Sequence, residues 1–318
     1  MKHRVAIVPC SSYSPDEVAQ ALQQGLELLG GVEQFLGDGK RLLVKPNLFA
    51  AVKPERGLST HPAMIGATIS LLNKGGAQVL VGDNPVFGFS RLTYWRTGML
   101  SALPAKNACA VSLKDTVPRG HSSGRVIDRF LVPRLLDDIS AVISLPKLKA
   151  HNLMGMSGAV KNNYGLVHGD GIRKRLHLRF PVPDDFARML LDLDEFIAPT
   201  LYIVDAIMAS DGHGPRFGKP RHVGAIVLGS SAVAVDFVLA DLIAMPPEKV
   251  VTLRVAMQEA AWRLPAEAIE TVGATVAELR CVDFNHPPGG GGIVSVLPAP
   301  LQRWLFRRSQ KLIERHHG

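Results

Sequence analysis

Short runs of Val, Ile and Leu recur along the chain, each followed by a stretch in which apolar residues return at every third or fourth position. "RVAIVP" precedes such a stretch at Pro15–Leu29, "RLLVKPN" precedes Pro62–Lys74, and "AQVLVGD" precedes a Gly-broken segment reaching Leu103. The alternation resumes with "SAVISLPK", then with "TLYIVDA" after a helical pattern over Asp184–Phe196, then with "GAIVLGS" leading into Ala232–Ile243. Strands that are apolar on both faces and separated by helices predict an α/β fold, a mostly parallel sheet with helices on both faces. The apolar tract Val223–Met245 has the length of a membrane span, but "GSS" interrupts it and Asp236 and Asp241 charge its second half. It reads as a buried strand followed by a helix.

In such folds ligands gather where strands give way to loops at their carboxyl ends. The polar residues there are Lys45 and Asn47, then Asp83 and Asn84, then Lys147, Lys149 and His151, then Asp205 followed by Asp211 and His213 in "SDGHGP". Lys147 and Lys149 alternate, so on an extended segment both face one side, where they suit a phosphate or carboxylate. Asp83 and Asp205 could take a metal, amine or hydroxyl, with helix capping as the competing role for Asp83. Turn formation alone would account for Asp211 and its glycines. "STHP" opens a helix, with Ser59 or Thr60 as the expected cap and Pro62 in the first turn, which gives His61 a structural role.

The segment Ser144–Gly171, "SLPKLKAHNLMGMSGAVKNNYGLVHGDG", is too rich in Lys, His, Asn and Gly for a core element. His151 can act as acid, base or ligand near neutral pH. Lys161 can bind an anion or carry a covalent adduct, and the amides of Asn162 and Asn163 suit oriented hydrogen bonding. Ser157, between Gly155 and Gly158, offers a hydroxyl beside open N–H groups, though nothing around it forms a serine triad.

Composition narrows the classes. The chain has 318 residues, 47% of them hydrophobic, with 36 Lys and Arg against 28 Asp and Glu. The resulting +8 is spread out apart from Arg173–Arg179 and the C-terminus, so an anionic small molecule or a membrane surface accounts for it better than nucleic acid. Cys10, Cys109 and Cys281 lie far apart, which excludes an iron–sulfur cluster from local spacing and suits a reducing cytoplasm. "VAIV" near the N-terminus is too short for a signal peptide, so a cytoplasmic location is expected. Residues 1–286 read as one α/β unit, open to division into two lobes, 287–296 as a Gly-rich joint, and 297–318 as a basic amphipathic helix able to touch a membrane or partner.

Taken together, "VKPNL", "STHP", "GDNP", "LPKLKAHNLMGMSGAVKNNYG" and "VDAIMASDGHGP" resemble, in that order, the family called domain of unknown function 362, over Val5 to Met245. Many members of that family carry a ferredoxin module that this chain lacks, so an electron-transfer role would require a partner or another cofactor. A second resemblance is to the nickel-dependent lactate racemases. In their signature a catalytic histidine stands ten residues before a lysine that holds a nickel-pincer nucleotide, and a metal-ligating histidine follows sixteen later. His151, Lys161 and His177 have those spacings. The chain departs from that family at Asp83-Asn84, where a second catalytic histidine would stand, and at Lys45-Pro46-Asn47, which speaks against two-histidine racemisation.

The reading is a small-molecule enzyme, of oxidoreductase or isomerase/lyase type. It binds an anionic substrate, or a nucleotide-like or divalent-metal cofactor, at the strand ends, with proton or redox chemistry at His151 and Lys161. His151 and His177 are the candidate metal ligands. The alternative is a non-catalytic anion-binding or scaffold protein.

Overall fold

The structure is a computed structural model and describes residues 2–85, 90–104, 106–167 and 172–287, together with 300, 301, 304 and 307. Almost all of the expected joint and tail helix lies outside the described residues.

The strands are β1 His3–Pro9, β2 Arg41–Pro46, β3 Gln78–Val81, β4 Ala108–Ala110, β5 Thr116–Gly120, β6 Arg129–Pro133, β7 Ala141–Leu145, β8 Lys147–His151, β9 Gly155–Ser157, β10 Leu201–Asp211, β11 Lys219–Gly229 and β12 Ile269–Gly273. The helices are α1 Pro15–Leu28, α2 Pro62–Lys74, α3 Ser90–Arg96, α4 Ala159–Asn162, α5 Ile172–Arg179, α6 Pro183–Ile197, α7 Ala232–Leu242, α8 Val251–Gln258 and α9 Val276–Leu279. The main sheet runs β12-β1-β11-β10-β7-β2-β3-β4, with β8 and β9 added beside β10, while β5 and β6 form a separate hairpin.

Alternation along single strands explains the layers. Val5 and Ile7 enter one core with residues of α6, α7 and α8, whereas Ala6 and Val8 enter the other with α1 and α2. The strand β1 is therefore covered on both sides, as its unbroken apolar run requires. The helix α1 starts at Pro15 with Asp16 and Glu17 in its first turn, where acidic groups complement the N-terminal dipole, and it buries Val18, Ala21, Leu22 and Leu26 at helical spacing.

Two local readings are corrected. His61 is the N-cap residue of α2, its ring nitrogen accepting from the Ala63 N–H at 3.2 Å. Ser59 and Thr60 instead accept from the N–H groups of Phe49 and Asn47. The strand "GAIVLGS" is the end of β11, which forms an antiparallel hairpin with β10 and pairs antiparallel with β1. A direct hairpin connection can place strands only antiparallel, so this part of the sheet departs from the βαβ pattern. Val223–Met245 divides between β11 and α7, and no helix among the described residues is long and apolar enough to cross a membrane.

The strands that end near the candidate residues are neighbours: β2 lies between β3 and β7, all parallel, and Lys45 pairs with Ser144 in register. The strand β8 pairs parallel with β10, but the register slips, since Lys147 faces Asp205 while Lys149 faces Ser210.

Candidate functional site

Four lysines are brought to this edge. Lys45 sits at the end of β2, Lys147 and Lys149 stand two apart on β8, and Lys161 lies in α4. Lys45, Lys147 and Lys149 are each no more than 2% exposed. Burying an ammonium without a partner is expensive, so the partners decide what each lysine can do.

Two are neutralised internally. The Lys45 ammonium lies 2.8 Å from Asp83 Oδ1, and Asp83 Oδ2 accepts from the Leu48 N–H at 2.7 Å. The Lys147 ammonium lies 2.8 Å from Asp205 Oδ2, and donates to the Tyr13 hydroxyl at 2.7 Å. Asp205 also accepts from Tyr13 at 2.8 Å and from the His61 N–H at 2.9 Å. Tyr13 and His61 stack with ring centroids 3.6 Å apart. Burial and the Asp205 charge hold the Tyr13 hydroxyl protonated, and burial pushes the His61 ring down to about 4. Asp83 and Asp205 are thus internal counterions.

Lys149 is different. Its ammonium donates to Asn47 Oδ1 at 2.5 Å and to the Leu58 carbonyl at 2.9 Å, and lies 5.2 Å from the centre of the Phe49 ring. Among the described residues no carboxylate lies within ion-pairing distance of it. Burial first, then the charges of Lys161 and Lys147, hold its pKa well below the ordinary lysine range.

An amide chain links the lysines. Asn47 donates to Asn162 Oδ1 at 3.2 Å, Asn162 accepts from Lys45 at 3.3 Å, and its Nδ2 donates to Ser144 Oγ at 2.9 Å. Asn162 ends α4, whose first N–H groups, Ala159 and Val160, are accepted by the buried carboxylate of Asp236. Gly165 permits the turn after α4 to close on the first ion pair, because a Cβ there would meet Asp83 Oδ1 at 2.3 Å and Lys45 Nζ at 2.7 Å. Asn84 donates to the carbonyl of the same Gly165 at 3.0 Å.

His151 ends β8, and the hairpin after it turns the N–H groups of Leu153 and Met154 onto its Nδ1, each at 3.3 Å. Burial, then Lys161 and Lys149, keep the ring neutral well below the usual histidine range. A neutral imidazole whose Nδ1 accepts carries its proton on Nε2, so it presents an N–H donor. Lys161 lies 5.9 Å from the Tyr164 ring centre, and His177 meets the same ring edge-on at 5.7 Å while stacking on Phe186 at 4.3 Å. Lys161 and His177 are therefore neighbours around Tyr164, and both act electrostatically on His151.

Of the other sequence candidates, Ser157 stays at this edge, while Asn163, Asp211 and His213 are placed elsewhere. Ser157 is buried in register opposite Lys149. Asn163 donates to Asp194 Oδ1 on α6. Asp211 holds Arg221 at 3.0 Å and the Asn285 N–H, which makes it an anchor for the C-terminal segment. His213 is exposed, in a loop whose Gly214 packs so closely on β8 that a Cβ would lie 1.8 Å from the Ala150 carbonyl.

A cavity of about 610 Å³ opens beside Lys149, lined by Phe49, Leu58, Val52 and Phe217 and by the cations Lys53, Arg56, Arg96 and Arg216. Phe49 and Leu58, two of the residues that touch Lys149, belong to its wall. This basic and aromatic rim and Tyr13 were missed in the sequence, where they are scattered singly; only the density of Arg and Lys in loops hinted at them.

The chain is 34% identical over 257 residues to a thylakoid-associated protein of Synechocystis sp., covering 80% of this chain and 78% of that one. Among solved structures it is similar to the lactate racemase apoprotein of Thermoanaerobacterium thermosaccharolyticum, with TM-score 0.47, 11% identity and 74% of this chain covered. A Thermotoga maritima protein follows, with TM-score 0.39, 13% identity and 69% covered. The chain spans 56% of the length of each of these two structures. Residues 42–241, which hold both buried ion pairs, Lys149, His151 and Lys161, match the family described as Domain of unknown function (DUF362), and the chain belongs to that family.

Proposed function

We propose that this protein is an enzyme acting on an anionic small molecule, whose apolar body occupies the cavity beside Phe49 and Phe217 and whose charged group reaches Lys149. The observation that carries this is the buried Lys149 side chain, held among the described residues only by neutral oxygens, beside a cavity with a basic rim. An anion entering there supplies the counterion that Asp83 and Asp205 supply to the other lysines.

The chemistry is electrostatic stabilisation of negative charge that develops on a substrate oxygen. His151 donates through Nε2–H, since its Nδ1 is occupied, and Lys161 adds a cation from α4. Of the parts open to His151 in the sequence, acid, base or ligand, this reading takes that of hydrogen-bond donor. Lys161 and His177, side by side at Tyr164, are the residues that would hold a nucleotide-like or metal cofactor, which would supply redox capacity that the side chains lack. Two-histidine racemisation is not supported, because Asp83 stands at the second position and is committed to Lys45.

The test is intact mass and metal analysis of the natively purified chain, followed by a panel of carboxylates and phosphate esters scored by binding and turnover. Lys149→Met should abolish binding, and His151→Gln should keep binding and lose turnover. Binding without turnover for every anion favours a non-catalytic anion-binding protein. Full retention of ligand by Lys149→Met overturns the site.

A further inference from the structure

We propose that His121, Asp192 and Glu195 form a divalent-metal site of the zinc class where the β5–β6 hairpin meets α6. One ligand atom from each residue lies within 4.8 Å of the other two. Asp192 and Glu195 are one turn apart on α6 and so share a face, while His121 stands in the turn between β5 and β6.

The positions are fixed by surrounding structure. The His121 N–H donates to the Asp128 carbonyl at 2.7 Å and its own carbonyl accepts from Gly124 at 3.0 Å. Its ring is flanked by Phe130 and Phe196, with centroids 6.0 and 5.5 Å away. Asp192 is fully buried, and its Oδ2 accepts three backbone N–H groups, from Arg125, Val126 and Ile127, at 2.9, 2.8 and 3.2 Å. That saturates one oxygen and orients the other, as outer hydrogen bonds orient a metal-binding carboxylate.

The independent observation is that the inward atoms are unsatisfied. His121 is 8% exposed, yet among the described residues its Nε2 has no hydrogen-bond partner, and neither has Asp192 Oδ1. Buried polar atoms are ordinarily paired, and these two belong to the same cluster. The cation now nearest is Arg125, whose Nη1 lies 2.5 Å from Glu195 and 3.9 Å from Asp192 Oδ1. One guanidinium offsets one of two carboxylates, and as placed among the described residues it makes no hydrogen bond to His121 Nε2. A divalent ion offsets both carboxylates and takes that nitrogen as a ligand. Arg125 already lies over the Trp262 ring, 5.0 Å from its centre, which gives it a resting place when displaced. One nitrogen and two oxygen donors suit zinc, and three protein ligands leave a position for water.

The experiment uses the full chain stripped with EDTA and carrying His316→Gln and His317→Gln, because the "HH" near the C-terminus can bind zinc by itself. Zinc chloride is titrated by calorimetry, with stoichiometry checked by elemental analysis after desalting. One equivalent should bind, His121→Gln and Glu195→Gln should each weaken it at least about tenfold, and Arg125→Met should tighten it by removing the competing cation. Equal affinity in both ligand variants overturns the site, as does the failure of Arg125→Met to tighten binding. Lys149→Met serves as the separate control and should leave zinc binding unchanged.

Discussion

Lys147 and Lys149 stand two residues apart on one strand and are both buried, yet among the described residues only Lys147 has a carboxylate, Asp205, at 2.8 Å. The ammonium of Lys149 rests against the amide oxygen of Asn47 instead. Neighbours of the same type thus have different surroundings, one closing an internal ion-pair network and one without an internal counterion among the described residues.

The first prediction concerns Lys149. Its pKa in the free protein is held down by burial and by Lys161, and a bound anion would raise it. Binding should therefore take up a proton, and affinity should fall as pH rises through the lowered value. Calorimetry of a bound carboxylate in two buffers of different ionisation enthalpy reads the uptake directly. Equal heats, with no pH dependence, would sink the assignment.

Breaking the Lys147–Asp205 pair should be costly. Lys147→Met leaves Asp205 buried with only the Tyr13 hydroxyl and the His61 N–H, an uncompensated charge worth about 3–5 kcal/mol of stability. Adding Asp205→Asn removes the stranded charge and should restore part of that loss. Urea unfolding of the single and double variants measures both, and a single variant within about 0.5 kcal/mol of the parent contradicts the network.

His151 should remain neutral, as its Nε2–H tautomer, at pH values well below the ordinary histidine range, since burial and the nearby lysines disfavour the imidazolium. Nitrogen-15 chemical shifts of the ring distinguish the tautomers. Observation of a proton on Nδ1, or of a ring that titrates near pH 6.5, removes the donor role.

His61 gives a pH signature of stability. Its folded-state pKa, about 4, lies below the unfolded value near 6.5, so its contribution is intact above about 6.5 and is lost as pH falls through about 4. Asp194 and Asp236, held up to about 7 by burial, act in the opposite direction, losing their contribution as pH rises from about 4 to about 7. The informative quantity is therefore the difference between parent and His61→Asn, which keeps an N-cap acceptor for Ala63 without a titrating ring. The parent should lose more stability than the variant between pH 6.5 and 4 in chemical denaturation; parallel curves would show that His61 does not titrate there.

The α/β architecture was legible because Val5–Val8, Leu42–Val44 and Val79–Val81 are buried on both sides, and such runs have few other solutions. The lysine, asparagine and aspartate positions at the strand ends were legible for the same topological reason. What each side chain does was not. Local sequence does not show that Asp205 would be taken by Lys147, that Asp211 would serve Arg221, or that Asn163 would turn toward Asp194, because each partner depends on strand register or helix packing. The capping of α2 by His61 was missed because Ser59 and Thr60 are better caps by type, and both were drawn to N–H groups of the loop after β2. The His121 cluster escaped because its members are separated by about seventy residues and meet only where a hairpin lands on α6.

The slipped pairing of β8 against β10 works as a sorting device. From Lys147 to Lys149 one strand advances two residues while the other advances from Asp205 to Ser210. Without the slip, both lysines would follow the same ladder as Asp205; with it, the second lysine is delivered to the cavity wall at Leu58 and Phe49. The separate surroundings of Lys149 are therefore encoded in the length of the β10 segment between Asp205 and Ser210. Shortening that segment would disarm the edge without altering one of its charged residues.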